Sequence, residues 1–258
     1  MRARPDAALD PFFQIAPDTT DTGSPGLSVV IAAYNEERTL EGVVRRVDEV
    51  LDVPHEILIV DDGSRDGTPG VLAALMASGD LPQVRVLAHE RNRGKGAAVR
   101  TGIAASRGDV VVIQDADLEY DPRDLPRLLA PVFEGYADVV YGTRLRGGQP
   151  QRAHLFWHYV GNRFLSLLTN VLYNTTISDM EVGYKAFRGD LIRSMEISSD
   201  GFGFEPEVTA KLLRRGGVRL YEVPISYYGR TYAEGKKITW KDGLRALYLL
   251  VRFRFDAR

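Results

Sequence analysis

Short apolar segments alternate with amphipathic segments along most of this chain, and this alternation constrains the fold more than any other feature. The strand candidates cover residues 27–33, 56–60, 83–88, 109–114 and 137–141. The helix candidates between them cover residues 37–51, 66–78, 95–106 and 122–133. Strands spaced by helices of this length predict right-handed βαβ crossovers and a mainly parallel sheet flanked by helices. We therefore expect an α/β fold.

The alternation ends near Tyr141. A loop with two glycines and a proline covers 145–151, and an aromatic-rich amphipathic helix follows at about 154–173. A short α/β stretch covers 181–224, and a strand candidate at 218–227 overlaps its end. A basic helix follows at 240–255. We find no internal repeat. We predict a single domain over residues 27–258, in which the segments at about 145–180 and 228–258 close over the rim of the sheet.

Composition limits the classes of function. With 258 residues, 44% of them apolar, the chain can bury one large α/β core. Its formal charge of −2 gives no overall field that would favour nucleic acid, so we expect no nucleic-acid partner. The absence of cysteine excludes disulfides and thiolate metal sites and fits a reducing compartment.

The first 26 residues contain four prolines among acidic and small residues and lack the apolar core of a signal peptide. This composition predicts a disordered N-terminal tail. A membrane-spanning helix needs roughly 20 apolar residues. The nearest candidate, 164–178, is uncharged but is interrupted by asparagines and threonines. We therefore expect that the chain does not cross a membrane by itself.

Acidic motifs follow three of the predicted strands. Tyr34-Asn35-Glu36 follows the first strand, Asp61-Asp62-Gly63-Ser64 the second, and Asp115-Ala116-Asp117 the fourth. Parallel sheets bind ligands at the carboxyl ends of their strands, so these motifs should meet at one rim. Three acidic turns would repel one another there unless a cation or a donor-rich ligand were bound. The pair Asp115 and Asp117 could hold Mg²⁺ or Mn²⁺ together with substrate phosphates, although a solvated turn is the alternative.

The next motifs each allow a structural interpretation. In the turn 61–68, capping explains Asp66, whereas Asp61 and Asp62 lie too early to cap, so one of them is expected to bind a base or ribose. The segment 91–96 could cradle phosphate, but it lacks the P-loop frame, and Lys95 could equally be a surface charge.

Two further features remain open in the same way. His154 and His158 have the spacing of a zinc pair but no acid between them, which favours packing or an interface. The segment 230–237 carries three cations in a glycine-bearing loop and is either a solvated turn or an anion site.

Taken together, these motifs resemble family 2 glycosyltransferases of the GT-A (Rossmann-like) fold, and within them the polyprenyl-phosphate (dolichyl-phosphate) mannose and glucose synthases. The matching segments lie in order along residues 27–243: 29–36, 60–64, 92–96, 115–119, 142–144, 179–185 and 230–237. The resemblance specifies the fold and donor class more closely than the acceptor.

The resemblance implies roles for individual residues. Contacts to the nucleotide would come from Ala32, Tyr34, Glu36 and Asp62, with Asp61 nearby. The metal and diphosphate would be held by Asp115, Ala116, Asp117 and Glu119, where Glu119 stands in place of a Gln that relatives often have. The diphosphate and the acceptor phosphate would be surrounded by Lys95, Arg144, Lys185, Arg230 and Lys236. Catalytic roles would fall to Asp117, Arg144, Asp179 and Glu207.

The resemblance also implies the reaction. A hexose would move from a UDP- or GDP-linked donor to a polyprenyl (dolichyl or undecaprenyl) phosphate in one inverting displacement assisted by Mg²⁺ or Mn²⁺. The helices at 154–173 and 240–255 would lie at the membrane interface, unless both pack on the sheet. The expected location is the cytoplasm, peripheral on the cytoplasmic face of the membrane, with or without a separate transmembrane partner. The alternatives are a soluble family 2 enzyme with a small phosphorylated or glycan acceptor and a catalytically silent partner protein, which the intact acidic and basic sets disfavour.

Overall fold

A seven-stranded sheet organises the protein, and a computed structural model describes residues 25–152, 155–230 and 240–256. The strands are β1 Leu27–Ala33, β2 His55–Asp61, β3 Val84–Ala88, β4 Val110–Asp115, β5 Val139–Thr143, β6 Lys185–Arg188 and β7 Leu220–Pro224. The helices are α1 Leu40–Val50, α2 Thr68–Ser78, α3 Lys95–Ala105, α4 Leu125–Phe133, α5 Phe156–Tyr173, α6 Gly189–Arg193, α7 Phe204–Arg215 and α8 Trp240–Phe255, and a 3₁₀ turn at Pro122–Asp124 precedes α4.

The strand order is β3-β2-β1-β4-β6-β5-β7. Strands β3, β2, β1 and β4 are mutually parallel, β5 and β7 are also parallel, and β6 runs antiparallel between β4 and β5. The expected α/β architecture with a mainly parallel sheet is confirmed. The central strands β1, β2 and β4 are mostly apolar and almost wholly buried because helices cover both faces of such a sheet.

Register brings the ends of three strands level. Ala33 of β1 lies beside Asp61 of β2, and Ala32 lies beside Asp115 of β4. Helix α3 lies very close to β1, since a Cβ at Gly102 would come within 2.3 Å of a Val30 methyl group. This tight packing fixes the beginning of α3 near the same rim as the acidic segments.

The second half of the chain adds a helical layer. Helices α5, α7 and α8 contact one another. The Tyr173 hydroxyl of α5 donates to the Leu250 carbonyl of α8 at 2.7 Å, and Arg214 of α7 donates to the Phe253 carbonyl at 2.8 Å. These bonds hold α8 against the rest of the fold, while its outer face stays exposed.

The sequence predicted most elements, with boundary errors of a few residues. Helix α1 begins at Leu40 rather than at residue 37, and β7 is shorter than the predicted strand 218–227. The stretch 181–224 resolves into β6, α6, α7 and β7. No helix among the described residues is both long enough and apolar enough to cross a bilayer. The predicted tail lies almost wholly outside the described residues, as do His154 and Lys236.

Candidate active site

A cleft of about 830 Å³ opens at the carboxyl ends of β1, β2 and β4. Eleven of the residues expected at the site line it: Ala32, Tyr34, Glu36, Asp62, Lys95, Asp115, Ala116, Asp117, Glu119, Arg144 and Arg230. The predicted meeting of the acidic motifs at one rim is therefore found in the structure. Four lysine and arginine side chains of the described residues also line the cleft: Lys95, Arg144, Arg152 and Arg230.

Lys95, the first residue of α3, lies inside this acidic group. Its Nζ is 2.8 Å from Asp115 Oδ1 and 3.1 Å from Glu205 Oε1. Burial alone would lower the pKa of Lys95, but the charges of Asp115 and Glu205 outweigh burial and raise the pKa well above its ordinary value. Lys95 is therefore paired inside the cleft and is not a simple surface charge, while its contact with a ligand stays a prediction.

Asp117 faces a second cation. Its carboxylate pairs with the Arg230 guanidinium, whose Nε also lies 3.2 Å from Glu119 Oε1. Burial, together with the charge of Asp115, raises the pKa of Asp117 to about 7, although Arg230 opposes this shift. The site thus holds more negative charge than its own cations neutralise, which is the electrostatic condition that favours a divalent cation.

The residues fit a metal bound jointly with a ligand. Among the described residues, no group of three or more His, Cys, Asp or Glu side chains is close enough to hold a metal ion. Glu119 is engaged elsewhere, since it accepts hydrogen bonds from the Tyr227 hydroxyl at 2.9 Å and from the Arg230 backbone at 3.0 Å. Asp115 and Asp117 are paired with Lys95 and Arg230, so a metal on these two carboxylates would need substrate phosphates to complete its ligands. Mg²⁺ is often held in this way, by one or two carboxylates plus substrate phosphates.

Arg144 lines another wall of the cleft and is held from behind by Asp179. The Arg144 Nε and Nη2 atoms each donate to this carboxylate at 2.7 Å, and the Arg144 backbone donates at 2.9 Å. The guanidinium also lies over the Tyr227 ring, 5.0 Å from its centroid. Asp179 is fully buried and does not line the cleft, so its contact is with Arg144.

Asp62 shapes the loop that leads into α3. One carboxylate oxygen accepts from the Gly94 backbone at 2.7 Å, and the other accepts from the Arg93 backbone at 2.9 Å and from His89 Nδ1 at 2.7 Å. Gly94 needs a positive φ of 104°, and a Cβ there would lie 2.3 Å from the Asp200 carbonyl oxygen. Asp62 lines the cleft, whereas Asp61 does not and caps its own turn by accepting from Ser64 N at 3.0 Å.

The profile of Glycosyl transferase family 2 matches residues 28–195. The chain belongs to glycosyl transferase family 2. The undecaprenyl-phosphate mannosyltransferase of Micrococcus luteus is 36% identical to this chain, over 80% of this chain and 85% of that protein. The polyprenol monophosphomannose synthase of Mycolicibacterium smegmatis is 34% identical over 81% of this chain and 79% of its own length.

Two further matches extend the comparison. The undecaprenyl-phosphate 4-deoxy-4-formamido-L-arabinose transferase of Pseudomonas fluorescens is 33% identical, and this chain spans 60% of its length. Among solved structures, glucosyl-3-phosphoglycerate synthase from Mycobacterium tuberculosis, in complex with Mn²⁺, UDP and phosphoglyceric acid, matches with a TM-score of 0.69. That match covers 90% of this chain and 79% of the synthase at 24% identity, so it shows that the two share the GT-A-like fold.

Lys185, expected to bind substrate, and Glu207, expected to be catalytic, do not line the cleft of this family 2 glycosyltransferase. Lys185 is fully buried, donates to the carbonyls of Met180 (3.0 Å) and Val182, and lies over the Tyr141 ring. Glu207 is also fully buried and accepts from the backbones of residues 198 and 199. Both charged side chains are buried and form hydrogen bonds with backbone groups of neighbouring loops. These bonds hold the loops in place.

The sequence did not point to four other residues that line the cleft: Tyr120, Asn162, Glu181 and Glu205. One carboxylate oxygen on each of Glu181 and Glu205 is buried without a hydrogen-bond partner within the described part of the chain. Burial and the charge of Glu205 raise the pKa of Glu181. Glu181 lies in the motif 179–185, but a carboxylate in a loop or in the first turn of a helix is commonly a cap, and the sequence carries no signal that separates the two roles.

Proposed function

We propose that this chain is a metal-dependent inverting glycosyltransferase that transfers a hexose from a nucleotide-diphosphate sugar to a polyprenyl phosphate. The observation that carries the proposal is the charge arrangement of the cleft, where Asp115 and Asp117 share one cavity with Arg144 and Arg230. Such a cavity suits two anionic substrates, one bound through a metal and one bound by arginines. The names of the Micrococcus and Mycolicibacterium relatives support the polyprenyl-phosphate acceptor.

The donor would occupy the end of the cleft at β1, β2 and β4. Ala32, Tyr34, Glu36 and Asp62 line that end and are our candidates for nucleotide contacts. The diphosphate would be held by Mg²⁺ or Mn²⁺ on Asp115 and Asp117, and the bound ion would supply Lewis-acid stabilisation of the departing nucleotide. The Mn²⁺ and UDP bound to the structurally similar synthase favour a metal and a uridine nucleotide here.

The acceptor phosphate would bind to Arg144. This guanidinium is held by Asp179 and lines the cleft, so it can meet an incoming phosphate without first being ordered. A phosphomonoester is already anionic near neutral pH and needs no general base to attack. Catalysis would therefore depend on positioning and electrostatics, and a single displacement converts an α-linked donor to a β-linked product.

A lipid acceptor requires a surface that meets a membrane. Large apolar side chains of α5 and α8 are exposed, and we call them the aromatic surface: Phe156, Trp157, Tyr159, Phe164, Leu167, Val171, Trp240, Leu244, Tyr248 and Phe255. Trp157, Tyr159 and Trp240 also line the cleft, so this surface adjoins it. Arginines and a lysine are interspersed on the same helices, as in helices that bind an anionic leaflet. We propose that this surface places the enzyme peripherally on the cytoplasmic face of the membrane, alone or beside a transmembrane partner.

Transfer assays test the proposal. UDP-glucose, UDP-GlcNAc and GDP-mannose are first screened by thermal shift with Mn²⁺, because a bound donor raises the melting temperature with occupancy. The donor that binds is then incubated with undecaprenyl phosphate in anionic vesicles. We expect a β-linked lipid-phosphate sugar that does not form when EDTA is present. Transfer to 3-phosphoglycerate but to no polyprenyl phosphate would replace the lipid acceptor with a small phosphorylated one.

A further inference from the structure

Asn162 connects the amphipathic helix α5 to the arginine that faces the cleft. Its Nδ2 donates to Asp179 Oδ1 at 2.8 Å, and its side chain lines the cleft. Asp179 Oδ1 also accepts from Arg144 Nη2, while Asp179 Oδ2 accepts from Arg144 Nε and from the Arg144 backbone. The orientation of the Asn162 amide follows from chemistry, since an ionised carboxylate can only accept.

Within the described part of the chain, the carboxylate of Asp179 has four donors, and Asn162 is the one that does not belong to Arg144. Burial alone would raise the pKa of Asp179, but Arg144 and the hydrogen bond from Asn162 keep it below its ordinary value. Without Asn162, Oδ1 would keep a single donor and the carboxylate could turn about its own bond. The guanidinium that it holds would then lose its fixed direction toward the cleft.

We propose that Asn162 is a positioning residue that orients Arg144 through Asp179 and so makes acceptor-phosphate binding depend on where α5 lies. This inference rests on the proposed function, in which Arg144 binds the acceptor. The same helix carries Phe156, Trp157 and Phe164 of the aromatic surface. A helix that touches the lipid surface thus also contributes one hydrogen bond to the support of the phosphate-binding arginine.

Asn170 provides a matched control on the same helix. It lies about two turns further along α5, and its Nδ2 donates to the Ile177 carbonyl at 2.9 Å. In both asparagines Oδ1 is buried without a hydrogen-bond partner, so each contributes one donated bond within the described residues. Both bonds tie α5 to the segment 177–179, but only that of Asn162 reaches the side chain that holds Arg144.

The experiment compares wild type, Asn162→Ala and Asn170→Ala with Mn²⁺ and the donor that wild type uses. Farnesyl phosphate serves as the acceptor in kinetics and as the ligand in calorimetry, and UDP or GDP probes the donor end. For Asn162→Ala we expect the KM and Kd for farnesyl phosphate to rise about tenfold, the size of effect expected for one hydrogen bond to a charged group. The nucleotide Kd should stay within about twofold of wild type, as one hydrogen bond at the acceptor end leaves the donor contacts in place.

The matched variant separates positioning from structural support. Asn170→Ala should also lower the melting temperature, because it too removes a hydrogen bond that ties α5 to the segment 177–179, and it should leave the acceptor KM unchanged. Equal shifts in acceptor KM for the two variants, or a wild-type acceptor KM for Asn162→Ala, would overturn the inference. Asn162→Leu, which has a similar size but no hydrogen-bond donor, makes the same comparison if the alanine variant does not fold. Should wild type bind nucleotide but neither bind nor glycosylate farnesyl phosphate, the proposed acceptor itself is wrong and this inference falls with it.

Discussion

Arg230 and Asp117 form an ion pair across the mouth of the cleft and join two segments that are 113 residues apart in the chain. The same guanidinium lies 3.2 Å from Glu119 and 3.6 Å from Glu36. One cation therefore balances three carboxylates that would otherwise repel one another at the proposed donor end of the cleft. The pair also places Arg230 where a diphosphate bound at Asp117 would meet it.

Replacing Arg230 with Ala should slow transfer strongly. The substitution removes the cation that counters charge at Asp117, and loss of one preorganised electrostatic group typically costs about 10²- to 10³-fold in rate. We expect kcat/KM for transfer to fall by that range, with Arg230→Lys retaining part of the activity because it keeps the charge but not the fork of donors. Steady-state kinetics under saturating Mn²⁺ measure the effect.

The control for Arg230 is an exposed arginine of α1. Arg46 does not line the cleft, and Arg46→Ala removes the same charge from the chain. Its kcat/KM should stay within about twofold of wild type, because surface charges far from the site are screened. If Arg230→Ala and Arg46→Ala show the same rate, Arg230 has no role in transfer.

Asp117→Asn should weaken joint binding of metal and nucleotide without harming the fold. Asp117 carries a charge that burial and Asp115 disfavour, which raises its pKa to about 7. The amide removes that repulsion, so we expect the melting temperature of the ligand-free protein to stay the same or rise. Mn²⁺ affinity in the presence of UDP or GDP, followed by electron paramagnetic resonance, should fall at least about tenfold, since one of two carboxylate ligands is lost. Unchanged Mn²⁺ affinity would remove Asp117 from the metal site.

Much of the fold could be predicted because hydrophobic periodicity reports it directly. The apolar runs that became β1, β2 and β4 are short, bounded by polar turns and separated by helix-length segments. Strand β6 was not predicted as an element because it is four residues long and begins and ends with Lys185 and Arg188. Its antiparallel pairing with β4 and β5 is decided by tertiary contacts that a local pattern does not contain.

The site was predictable where it depends on topology and not where it depends on side-chain direction. Parallel strands end at one rim, so Asp62 and Asp115 could be placed together from their positions after strands. Lys185 belongs to the same family motif, yet its ammonium turns into the core to bind backbone carbonyls. Asn162 and Glu205 reach the cleft from α5 and α7, and only the packing of those helices brings them there.

Removing large side chains from the aromatic surface should weaken membrane binding. Trp157 of α5 is 78% exposed and Trp240 of α8 is 72% exposed, so their loss costs the fold little buried area. A fully buried large apolar side chain contributes about 1.5–3 kcal/mol. The double variant Trp157→Ser, Trp240→Ser should therefore lower partitioning to anionic vesicles at least about tenfold, as measured by co-sedimentation.

Met76 offers the comparison for the aromatic surface. Met76 is exposed on α2, the helix between β2 and β3, and Met76→Ser removes apolar surface from that helix. Vesicle binding of this variant should equal that of wild type. If the double tryptophan variant also partitions like wild type, α5 and α8 do not contact the membrane and the peripheral location is wrong.

Asp138 should stabilise the fold in a pH-dependent way. It lies at the start of β5 and accepts three hydrogen bonds from Arg219, before β7, and one from Arg188 of β6. Hydrogen bonds from Arg219 lower the pKa of Asp138 to about 2 against the cost of burial. Because the folded-state pKa is depressed, the stabilisation is fully present above the ordinary carboxyl pKa and is lost as pH falls from about 4 to about 2.

Asp138→Asn tests this stabilisation. At pH 7 the variant should lose about 2 kcal/mol in the free energy of unfolding, measured by urea denaturation. The difference from wild type should shrink as pH is lowered below about 4, where the wild-type carboxylate begins to take up its proton. Asp190→Asn is the control, because Asp190 pairs with Arg188 at an exposed site, and surface pairs contribute little. A difference between Asp138→Asn and wild type that does not change with pH would mean that the strands depend on the shape of the side chain at 138 and not on its charge.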